Sequence, residues 1–402
     1  MRIIADLHIH SKYSRSCSKN LTLENICQKC GVKGINLVGT SDFTHPLWFK
    51  ELKEKLIETK PGLYALKKNN SGVQFIVSTE ISCIYSQGGR GRRVHICIIM
   101  PSLESAERLN ENLKKRGFNL KSDGRPILGI SAKNLTQIVL EIDPNAIIMP
   151  AHIWTPWFSL FGSKSGFNTL EECFEEMSSS IFAIETGLSS DPSMNWTISA
   201  LDDLTLLSNS DAHSLESLGR EANVFEIEEN LFSFNELRRI IKEKDSKKFL
   251  YTVEFFPEEG KYFSDGHASC KYCSYPAETK GERCPVCGKI MTFGVLKRVN
   301  ELSDRHKPSA NGKIPFKKII PLKEIISSVY KIGKNSKKVS EVYSKIVSKE
   351  NEFAVLLDLP LKELKKIAGN DIGSAIIAMR KGKVKIIPGY DGIYGKIEIL
   401  VS

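Results

Sequence analysis

The stretch Ile3-Ile4-Ala5-Asp6-Leu7-His8-Ile9-His10 decides the fold of the front of this chain. An apolar run leads into polar residues that alternate with aliphatic ones, and successive side chains of a β-strand point to opposite faces. We therefore expect Asp6, His8 and His10 to share one face at the carboxyl end of a strand. Two neighbouring imidazoles there make half of a divalent-metal site. The alternative, from this stretch alone, is an ordinary strand with two hydrogen-bonded histidines.

Short apolar runs alternate with amphipathic stretches through the first 250 residues. Strands are predicted at Met1–Ala5, Gly34–Gly39, Gln74–Val77, Val94–Met100, Ala146–Met149, Phe182–Ile184, Leu204–Leu207 and Asn223–Ile227. Helices are predicted at Leu23–Cys30, Phe49–Leu66, Leu103–Arg116, Ala132–Glu141, Leu170–Met177, Trp196–Asp203 and Phe234–Lys244. Strands separated by helices indicate a parallel sheet, so the chain is predicted to be an α/β protein. Seven or eight such units in this length indicate a β/α barrel, whose site lies at the carboxyl ends of the strands.

Six of the eight histidines lie in or beside these predicted strands: His8, His10, His45, His95, His152 and His213. Three carboxylates follow strands in the same way: Asp42, Glu80 and Asp211. Core packing does not readily explain so many histidines at strand ends, and we predict a site for several metals. Mixed imidazole and carboxylate ligands suit Zn, Mn or Fe better than Mg, although Mg could also support activity.

The motifs Asp-Leu-His8-Ile-His10-Ser, Ser-Asp42 with His45, Ser-Thr-Glu80, His95, Pro-Ala-His152 and Ser-Asp211-Ala-His213 resemble the polymerase-and-histidinol-phosphatase (PHP) superfamily. The resemblance covers about residues 1–250 and implies a distorted (β/α)7 barrel with two or three divalent metals. It also implies the ligands. His8, His10, Glu80 and Asp211 would hold one metal and form the catalytic set. Glu80 would bridge to a second metal completed by His95 and His152, and Asp42, His45 and His213 would contribute to a third.

The chain departs from the family pattern in two places that bear on the third metal. Many PHP phosphoesterases have a further histidine about six residues after His-x-His, where this chain reads Ser14-Arg15-Ser16. The usual adjacent Asp-His is stretched here to Asp42-Phe43-Thr44-His45.

Two loops are candidate DNA contacts. Gln87-Gly-Gly-Arg90-Gly-Arg92-Arg93 combines glycines with Arg90, Arg92 and Arg93, and such a cationic loop beside the metals suits phosphate. A solvated hairpin is the alternative. Trp154 and Trp157 directly follow His152 and could stack on bases or wedge a duplex, or could equally pack their own loop.

Cys270-Lys-Tyr-Cys273 and Cys284-Pro-Val-Cys287 form paired Cys-x-x-Cys knuckles, which predict one structural zinc held by Cys270, Cys273, Cys284 and Cys287. His267 could be a spare ligand, but with four cysteines present it is expected to be a bystander. The other six cysteines, Cys17, Cys27, Cys30, Cys83, Cys97 and Cys173, are interpreted as core or surface thiols. Folding of so small a ribbon should be coupled to metal binding.

Charge is unevenly distributed along the chain. Residues 297–402 hold 22 Lys and Arg against 11 Asp and Glu, whereas the net charge of all 402 residues is +10, so the front is nearly neutral. This imbalance indicates an enzyme domain joined to a nucleic-acid-binding one, although Lys-rich helices can also be simple solvated faces. The predicted domains are a barrel at 1–250, a zinc module at 251–298 and a mainly helical basic domain at 299–402.

The C-terminal third contains further helical patterns. Ile319–Val329 and Val339–Val347 have helical spacing, Asp358-Leu-Pro360 opens another helix, and Ile367–Ile376 resembles a tight helix–turn–helix that could bind a DNA backbone. Pro388-Gly-Tyr-Asp-Gly-Ile-Tyr-Gly395 is a glycine-rich turn before a short strand, which could approach phosphate or be only a turn.

No apolar run approaches the length of a membrane span, and no secretory signal precedes the first strand. Ten cysteines without an export signal indicate reduced thiols and metal ligation in the cytoplasm. We expect a monomer with no membrane partner.

The order of barrel, four-cysteine ribbon running into Gly294–Leu302, and Pro388–Gly395 closely resembles the endonuclease Q family over nearly the whole chain. The resemblance implies a DNA-repair endonuclease associated with the nucleoid. By metal-activated water it would nick double-stranded DNA 5′ of deaminated bases (deoxyinosine, deoxyuridine, deoxyxanthosine) and abasic sites, with the lesion nucleotide flipped. Some archaeal members end in a sliding-clamp-binding tail, which a chain ending Leu400-Val401-Ser402 is expected to lack.

Two other functions stay open from the sequence. A PHP small-molecule phosphatase, acting on histidinol phosphate or a nucleotide monoester, explains residues 1–250 but leaves the ribbon and the basic region without a role. A nucleic-acid-binding protein with a vestigial barrel explains the basic region but not the nearly complete ligand set.

Overall fold

The computed structural model describes residues 1–68, 71–275 and 281–400. Val401 and Ser402, the end of the tail considered above, lie outside the described residues. The strands are β1 (Arg2–Asp6), β2 (Leu37–Gly39), β3 (Leu56–Lys60), β4 (Leu63–Leu66), β5 (Gln74–Gln87), β6 (Arg90–Met100), β7 (Ile127–Leu128), β8 (Ile147–Pro150), β9 (Ala183–Glu185), β10 (Thr205–Leu207), β11 (Ala222–Glu226), β12 (Phe249–Glu254), β13 (Asp265–His267), β14 (Tyr272–Ser274), β15 (Phe316–Lys318), β16 (Val384–Ile387) and β17 (Lys396–Ile399).

The helices are α1 (Leu23–Lys33), α2 (Pro46–Lys55), α3 (Leu103–Lys115), α4 (Ala132–Ile142), α5 (Leu170–Phe174), α6 (Pro192–Asn195), α7 (Phe234–Glu243), α8 (Val295–Leu302), α9 (Leu322–Tyr330), α10 (Lys337–Val347), α11 (Glu352–Leu357), α12 (Leu361–Ala368) and α13 (Asn370–Arg380). Serines begin several of them. The hydroxyls of Ser102, Ser131 and Ser233 accept hydrogen bonds from the first turns of α3, α4 and α7. The buried faces of these helices cover the sheet, which confirms the predicted α/β class. None of the helices in the described part of the chain is long and apolar enough to span a bilayer.

The central sheet is mixed, not parallel as predicted. β1 runs parallel to β2, and β2 parallel to β5, but β1 and β11 are antiparallel. β5 and β6 form a long antiparallel hairpin, and β6 is antiparallel to β8. The physical reason is Gly88-Gly89 between Gln87 and Arg90. Both glycines have positive φ, +60° and +73°, which closes a two-residue hairpin turn.

The β5–β6 hairpin determines which part of β6 lies at the carboxyl end of the neighbouring strands. His95 lies at the middle of β6, opposite Ser82 of β5 and next to Ile96, which pairs with Pro150 at the carboxyl end of β8. Because β6 runs against β5 and β8, its first half lies beside the carboxyl ends of these two strands. The hairpin therefore brings His95 to the same end of the sheet as the residues that follow β1 and β8.

Two predicted helices are wrong in extent. The helix predicted at Phe49–Leu66 ends at Lys55, and β3 and β4 follow as a hairpin through Pro61-Gly62, where Gly62 has φ +73°. The segment predicted as a helix at Trp196–Asp203 contains only a 3₁₀ turn at Ser199–Leu201, and the short α6 ends just before it. In each case local turn chemistry overrides the helical spacing of apolar residues.

The C-terminal helices are attached to the barrel by a strand. β15 pairs in parallel with β12, so a segment that follows the zinc module extends the main sheet. Buried Glu352 then joins three elements, because its carboxylate accepts the Leu322 N–H at 3.0 Å and the Tyr343 hydroxyl at 2.7 Å. α12 and α13 meet at Gly369 with φ +88°, and the predicted tight helix–turn–helix is confirmed.

The six thiols outside the ribbon agree with their interpretation as core or surface residues. Five of them are buried, namely Cys27, Cys30, Cys83, Cys97 and Cys173, and Cys17 is partly exposed. Cys27 and Cys30 lie on the inner face of α1, where they fill the core.

Candidate metal centre and the adjoining cleft

Two ligand clusters meet at the carboxyl end of the central strands. His8 and His10 follow β1 and join Glu80 of β5 and Asp211, which follows β10. Glu80 also belongs to a second cluster, with His95 and His152. Within each cluster, one ligand atom from every residue lies within 4.8 Å of all the others. The structure thus brings together all six residues that the sequence assigned to the first two metals.

Glu80 faces the two clusters with different oxygens. Its Oε2 lies 3.3 Å from His10 Nε2 and 3.6 Å from His8 Nε2. Its Oε1 lies 2.7 Å from His95 Nδ1 and 3.2 Å from His152 Nε2. A carboxylate placed in this way can contribute one oxygen to each of two metals.

Three buried polar atoms in the first cluster lack a well-formed hydrogen bond. They are His8 Nε2, His10 Nε2 and Asp211 Oδ1, and the last two lie 3.1 Å apart. Buried polar groups in folded proteins are nearly always satisfied, so converging orphan atoms indicate a missing partner. Two imidazoles and two carboxylates are a donor set that suits Zn, Mn or Fe, and these residues therefore fit a divalent metal.

Two carboxylates behind the clusters orient their histidines. Glu185 lies 3.0 Å from His8 Nδ1 and accepts the backbone N–H of His152 at 2.8 Å. Asp42 lies 3.2 Å from His10 Nδ1 and accepts hydrogen bonds from Ser11. Each carboxylate thus fixes the ring nitrogen that faces away from the cluster, which leaves the other nitrogen for a metal.

Protonation in the centre follows from burial and charge. Burial opposes the charge of Glu80, but His95 and Arg125 outweigh it and hold the pKa of Glu80 well below its ordinary value. Burial also lowers the pKa of His95 to about 4, so this imidazole is neutral near pH 7 and can act as a ligand. Burial opposes charge on His10 too, yet its carboxylate neighbours raise its pKa, so metal binding would displace a proton there.

Arg125 is a member of the centre that the sequence analysis missed. Its Nη1 donates to Glu80 Oε2 at 3.1 Å, and the side chain is 23% exposed, so it is still accessible from solvent. Arg125 comes from the loop before β7, and its backbone N–H is held by Asp123. A lone arginine in a loop has no motif, and no sequence signal could have found it. Glu185, at the end of β9, could have been found as one more carboxylate at a strand end.

The structure does not bring together the three residues assigned to a third metal. Asp42 is occupied with Ser11, Ser14 and His10. His45 precedes α2 and stacks on Tyr13 with ring centroids 4.4 Å apart. His213 lies against the Asp211 carbonyl, 2.8 Å from its Nδ1. Among the described residues, Asp42, His45 and His213 form no common cluster.

Several residues of the centre have a strained backbone. Asp42, His152 and Asp211 have positive φ angles of +44°, +31° and +45°. A left-handed conformation is costly for residues other than glycine, and it persists where the surroundings impose it. Each of the three lies two to four residues beyond the end of a strand, in a turn that directs its side chain towards the centre.

In the zinc module, His267 joins three of the four predicted cysteines in one cluster. His267, Cys270, Cys284 and Cys287 come together with their ligand atoms within 4.8 Å. His267 Nδ1 lies 3.2 Å from Cys270 Sγ and 3.3 Å from Cys287 Sγ, so the expectation that His267 is a bystander is wrong. Cys273 lies on β14, opposite Gly266 of β13. One imidazole and three thiolates suit a tetrahedral zinc as four cysteines do.

The predicted DNA contacts divide into buried and exposed residues. Trp154 is 1% exposed and donates to Asn195, so the prediction that it contacts DNA is wrong: the indole belongs to the core. Trp157, by contrast, is 40% exposed. Arg92 is half-buried and lies over the ring of Phe167 at 4.1 Å, which makes it part of the loop's packing. Arg90 and Arg93 are exposed.

A cleft of about 610 Å³ adjoins the metal centre and is lined by Arg93, Trp157, Arg220, Lys261, Tyr262 and Tyr394, among others. Three contacts connect its walls to the centre. Thr155 Oγ1 lies 3.2 Å from His152 Nδ1, and the ring of Phe158 lies 4.9 Å from that of His95. Arg220 donates to the carbonyl of Ser210 at 2.9 Å. Cations and aromatic rings in one cleft suit a phosphate backbone and unstacked bases.

Comparison with known proteins gives matches over nearly the whole chain. The lesion-specific endonuclease PfuEndoQ from Pyrococcus furiosus is 33% identical, with a TM-score of 0.86 over 99% of this chain and 96% of its own. Endonuclease Q in complex with a 27-mer duplex carrying an abasic lesion at the active site is 34% identical, with a TM-score of 0.87 over 100% and 97%. YqxK from Bacillus subtilis is 30% identical over 99% of both chains. The family described as the MJ0043 C-terminal domain matches residues 321–383.

Proposed function

This chain belongs to the endonuclease Q family, and from that premise we propose that it is a metal-dependent, lesion-specific DNA endonuclease. Its substrate would be duplex DNA that contains a deaminated base (deoxyinosine, deoxyuridine or deoxyxanthosine) or an abasic site. It would hydrolyse the phosphodiester bond 5′ of the lesion, with the lesion nucleotide flipped out of the helix. Such a substrate would place the protein at the nucleoid.

The observation that carries this proposal is the pair of clusters that share Glu80 at the edge of a cationic, aromatic cleft. Divalent metals held by His8, His10, Glu80 and Asp211, and by Glu80, His95 and His152, would supply an acidified water and positive charge for the phosphoryl oxygens. The cleft has a volume of about 610 Å³ and is lined by three cationic side chains, Arg93, Arg220 and Lys261. The two ligand clusters and the cationic cleft lie side by side, as hydrolysis of a DNA phosphodiester would require.

The chain's own residues would prepare this chemistry. Glu185 and Asp42 hold the rings of His8 and His10 before any substrate arrives, which avoids reorganisation later. Arg125 offers a permanent positive charge at the centre, and its forked donors match a phosphate. A mismatched pair such as deoxyinosine opposite thymine would lower the cost of unpairing the lesion nucleotide, which selects damaged DNA.

The basic C-terminal region would hold the duplex through its phosphates. Lys362, Lys365 and Lys366 are exposed on α12, and Arg93 and Lys261 add positive charge at the cleft. Contacts of this kind are insensitive to sequence, and they weaken as salt rises. The His267–Cys270–Cys284–Cys287 cluster, with Cys273 beside it, would hold a structural zinc between the two regions.

The test is a nicking assay on an end-labelled duplex with one deoxyinosine, compared with undamaged DNA and with chelator present. The parent protein should produce a single nick 5′ of the lesion that chelator abolishes. Asp211→Asn should bind the duplex as the parent does but fail to cleave it, because one ligand of the first cluster loses its charge. Asp203→Asn is the matched control, since that carboxylate is fully exposed on the surface.

Equal loss of binding and cleavage in Asp211→Asn would contradict a role limited to the metal centre. Failure of the parent to nick, together with rapid release of phosphate from a small monoester, would instead favour a PHP phosphatase. That alternative leaves the cleft and the basic helices without a role.

A further inference from the structure

The glycine-rich turn Pro388–Gly395 presents one strongly exposed aromatic ring. Tyr394 is 73% exposed, far more than the other aromatic residues at the cleft. Because this exposed ring lines the cleft, its face is accessible to a ligand bound there. The turn itself, however, is held firmly.

Three backbone hydrogen bonds fasten the turn to the segment that leads into the zinc module. The N–H groups of Gly389, Gly392 and Gly395 donate to the carbonyls of Glu258, Lys261 and Glu259 at 2.8, 2.9 and 3.0 Å. The approach is so close that a Cβ at Gly395 would overlap the Glu258 carbonyl, and one at Gly389 would overlap that of Gly260. The glycines are therefore needed for contact, and they leave the turn rigid.

Asp391, at the tip of the turn, fastens it to the zinc module. Its carboxylate accepts the backbone N–H of Ala268 at 2.6 Å and the hydroxyl of Thr292. Ala268 directly follows His267, a member of the candidate zinc cluster. The position of Tyr394 thus depends on the folded zinc module.

Tyr394 continues a row of rings and cations along one wall of the cleft. Lys261 Nζ lies 5.8 Å from the Tyr394 ring and 5.6 Å from the Tyr262 ring. The Tyr262 ring lies 6.1 Å from Trp157. The row therefore combines three parts of the chain: the loop after β8, the lead into the zinc module and the C-terminal turn.

We propose that Tyr394 stacks on an unpaired base at the lesion, and that Asp391 and the zinc module position it for this contact. A base that is displaced from the helix loses its stacking on neighbouring bases and exposes an aromatic face. Stacking of this face on a protein ring replaces that interaction and does not depend on which base is displaced. Because the backbone of the turn is already held, a ring on this turn loses only side-chain freedom when it binds. This inference rests on the proposed function, because it requires lesion-containing DNA in the cleft.

The test measures binding and base stacking in an Asp211→Asn background, where the DNA stays uncut. A fluorescent base analogue beside the lesion reports unstacking in duplexes with deoxyinosine or an abasic site. Tyr394→Ala should weaken lesion-duplex affinity by about 5- to 100-fold and lower the fluorescence change, the range expected for loss of one stacked base. Tyr394→Phe keeps the ring and should behave as the parent.

The matched control is Tyr330→Ala, which removes a partly exposed ring on α9, outside the cleft. Affinity for undamaged duplex should change less than twofold in all variants. A loss confined to the deoxyinosine duplex would assign the stacked base to the lesion itself, whereas a loss on both duplexes would assign it to the base opposite.

Asp391→Ala should reproduce the fluorescence defect of Tyr394→Ala, with the same ring present but no longer positioned. An unchanged signal in Asp391→Ala would overturn the positioning role. Lesion affinity and fluorescence in Tyr394→Ala equal to those of the parent would overturn the stacking role. Failure of the parent to bind or nick lesion DNA at all would instead refute the proposed function, so the two failures are distinguishable.

Discussion

Glu185→Gln should weaken metal binding at the centre without unfolding the protein. Glu185 is completely buried and touches no predicted metal directly. Its two oxygens face three donors: His8 Nδ1 at 3.0 Å, the His152 backbone N–H at 2.8 Å and Asn209 Nδ2 at 2.9 Å. Glutamine has the same shape, so the substitution changes charge and hydrogen bonding rather than packing.

The size of the effect follows from those contacts. The neutral amide keeps one accepting oxygen but turns an NH₂ group towards donors, so at least one hydrogen bond becomes a donor–donor clash. A hydrogen bond to a charged group contributes about 1.5–3 kcal/mol. Because His8 would lose the partner that orients its ring, we expect metal affinity to fall about 10- to 100-fold, as for other residues that support metal ligands.

Calorimetric titration of Mn²⁺ into metal-stripped protein measures this directly, with the melting temperature as a check on folding. Glu228→Gln is the matched control, because that side chain is exposed on the surface. Cleavage by Glu185→Gln should recover as the Mn²⁺ concentration is raised. Unchanged Mn²⁺ affinity in a folded variant would refute the view that Glu185 positions His8 for a metal.

Two further predictions concern charge. Arg125→Gln should tighten Mn²⁺ binding several-fold in the same titration, because Arg125 competes with a metal for Oε2 of Glu80, and unchanged affinity would contradict that competition. Glu254→Gln should change the pH dependence of stability: burial raises the pKa of Glu254 to about 7, above its ordinary 4.5. The contribution of Glu254 to stability is therefore fully present below about pH 4.5 and is lost as pH rises through about 7, where this buried carboxyl must ionise. The melting temperature should fall less between pH 5.5 and pH 8 in Glu254→Gln than in the parent. Equal falls in the two proteins would count against this account.

The residues of the two clusters could be predicted because the end of a strand can be recognised from a few neighbouring residues in the sequence. A short apolar run followed by His8 or Asp211 can be read without knowing how the strands pair. The β5–β6 hairpin was only the alternative to a flexible cationic loop at Gly88-Gly89, and its antiparallel pairing was not predicted. The placement of His95 at the centre was therefore correct although the predicted strand direction was wrong.

Other differences arise because tertiary contacts are not encoded locally. Trp154 and Trp157 are three residues apart in the same loop, yet one is buried and the other exposed, and no spacing rule separates them. His267 was set aside because four cysteines already satisfied a zinc, but β13 places its ring between Cys270 and Cys287. The pairing of β12 with β15, finally, joins segments that the predicted domain boundaries had separated.

That last pairing has a consequence for how the chain is made. On the ribosome, β12 is complete once Glu254 has emerged, but its outer edge can be paired only when Phe316–Lys318 follows. Until then the nascent barrel has an unsatisfied row of backbone donors and acceptors, the kind of edge that recruits other chains. The intervening residues 255–315 include the zinc module, so acquisition of zinc can fold this segment and bring β15 within reach during synthesis. Zinc supply would then govern the yield of soluble protein as well as its final structure.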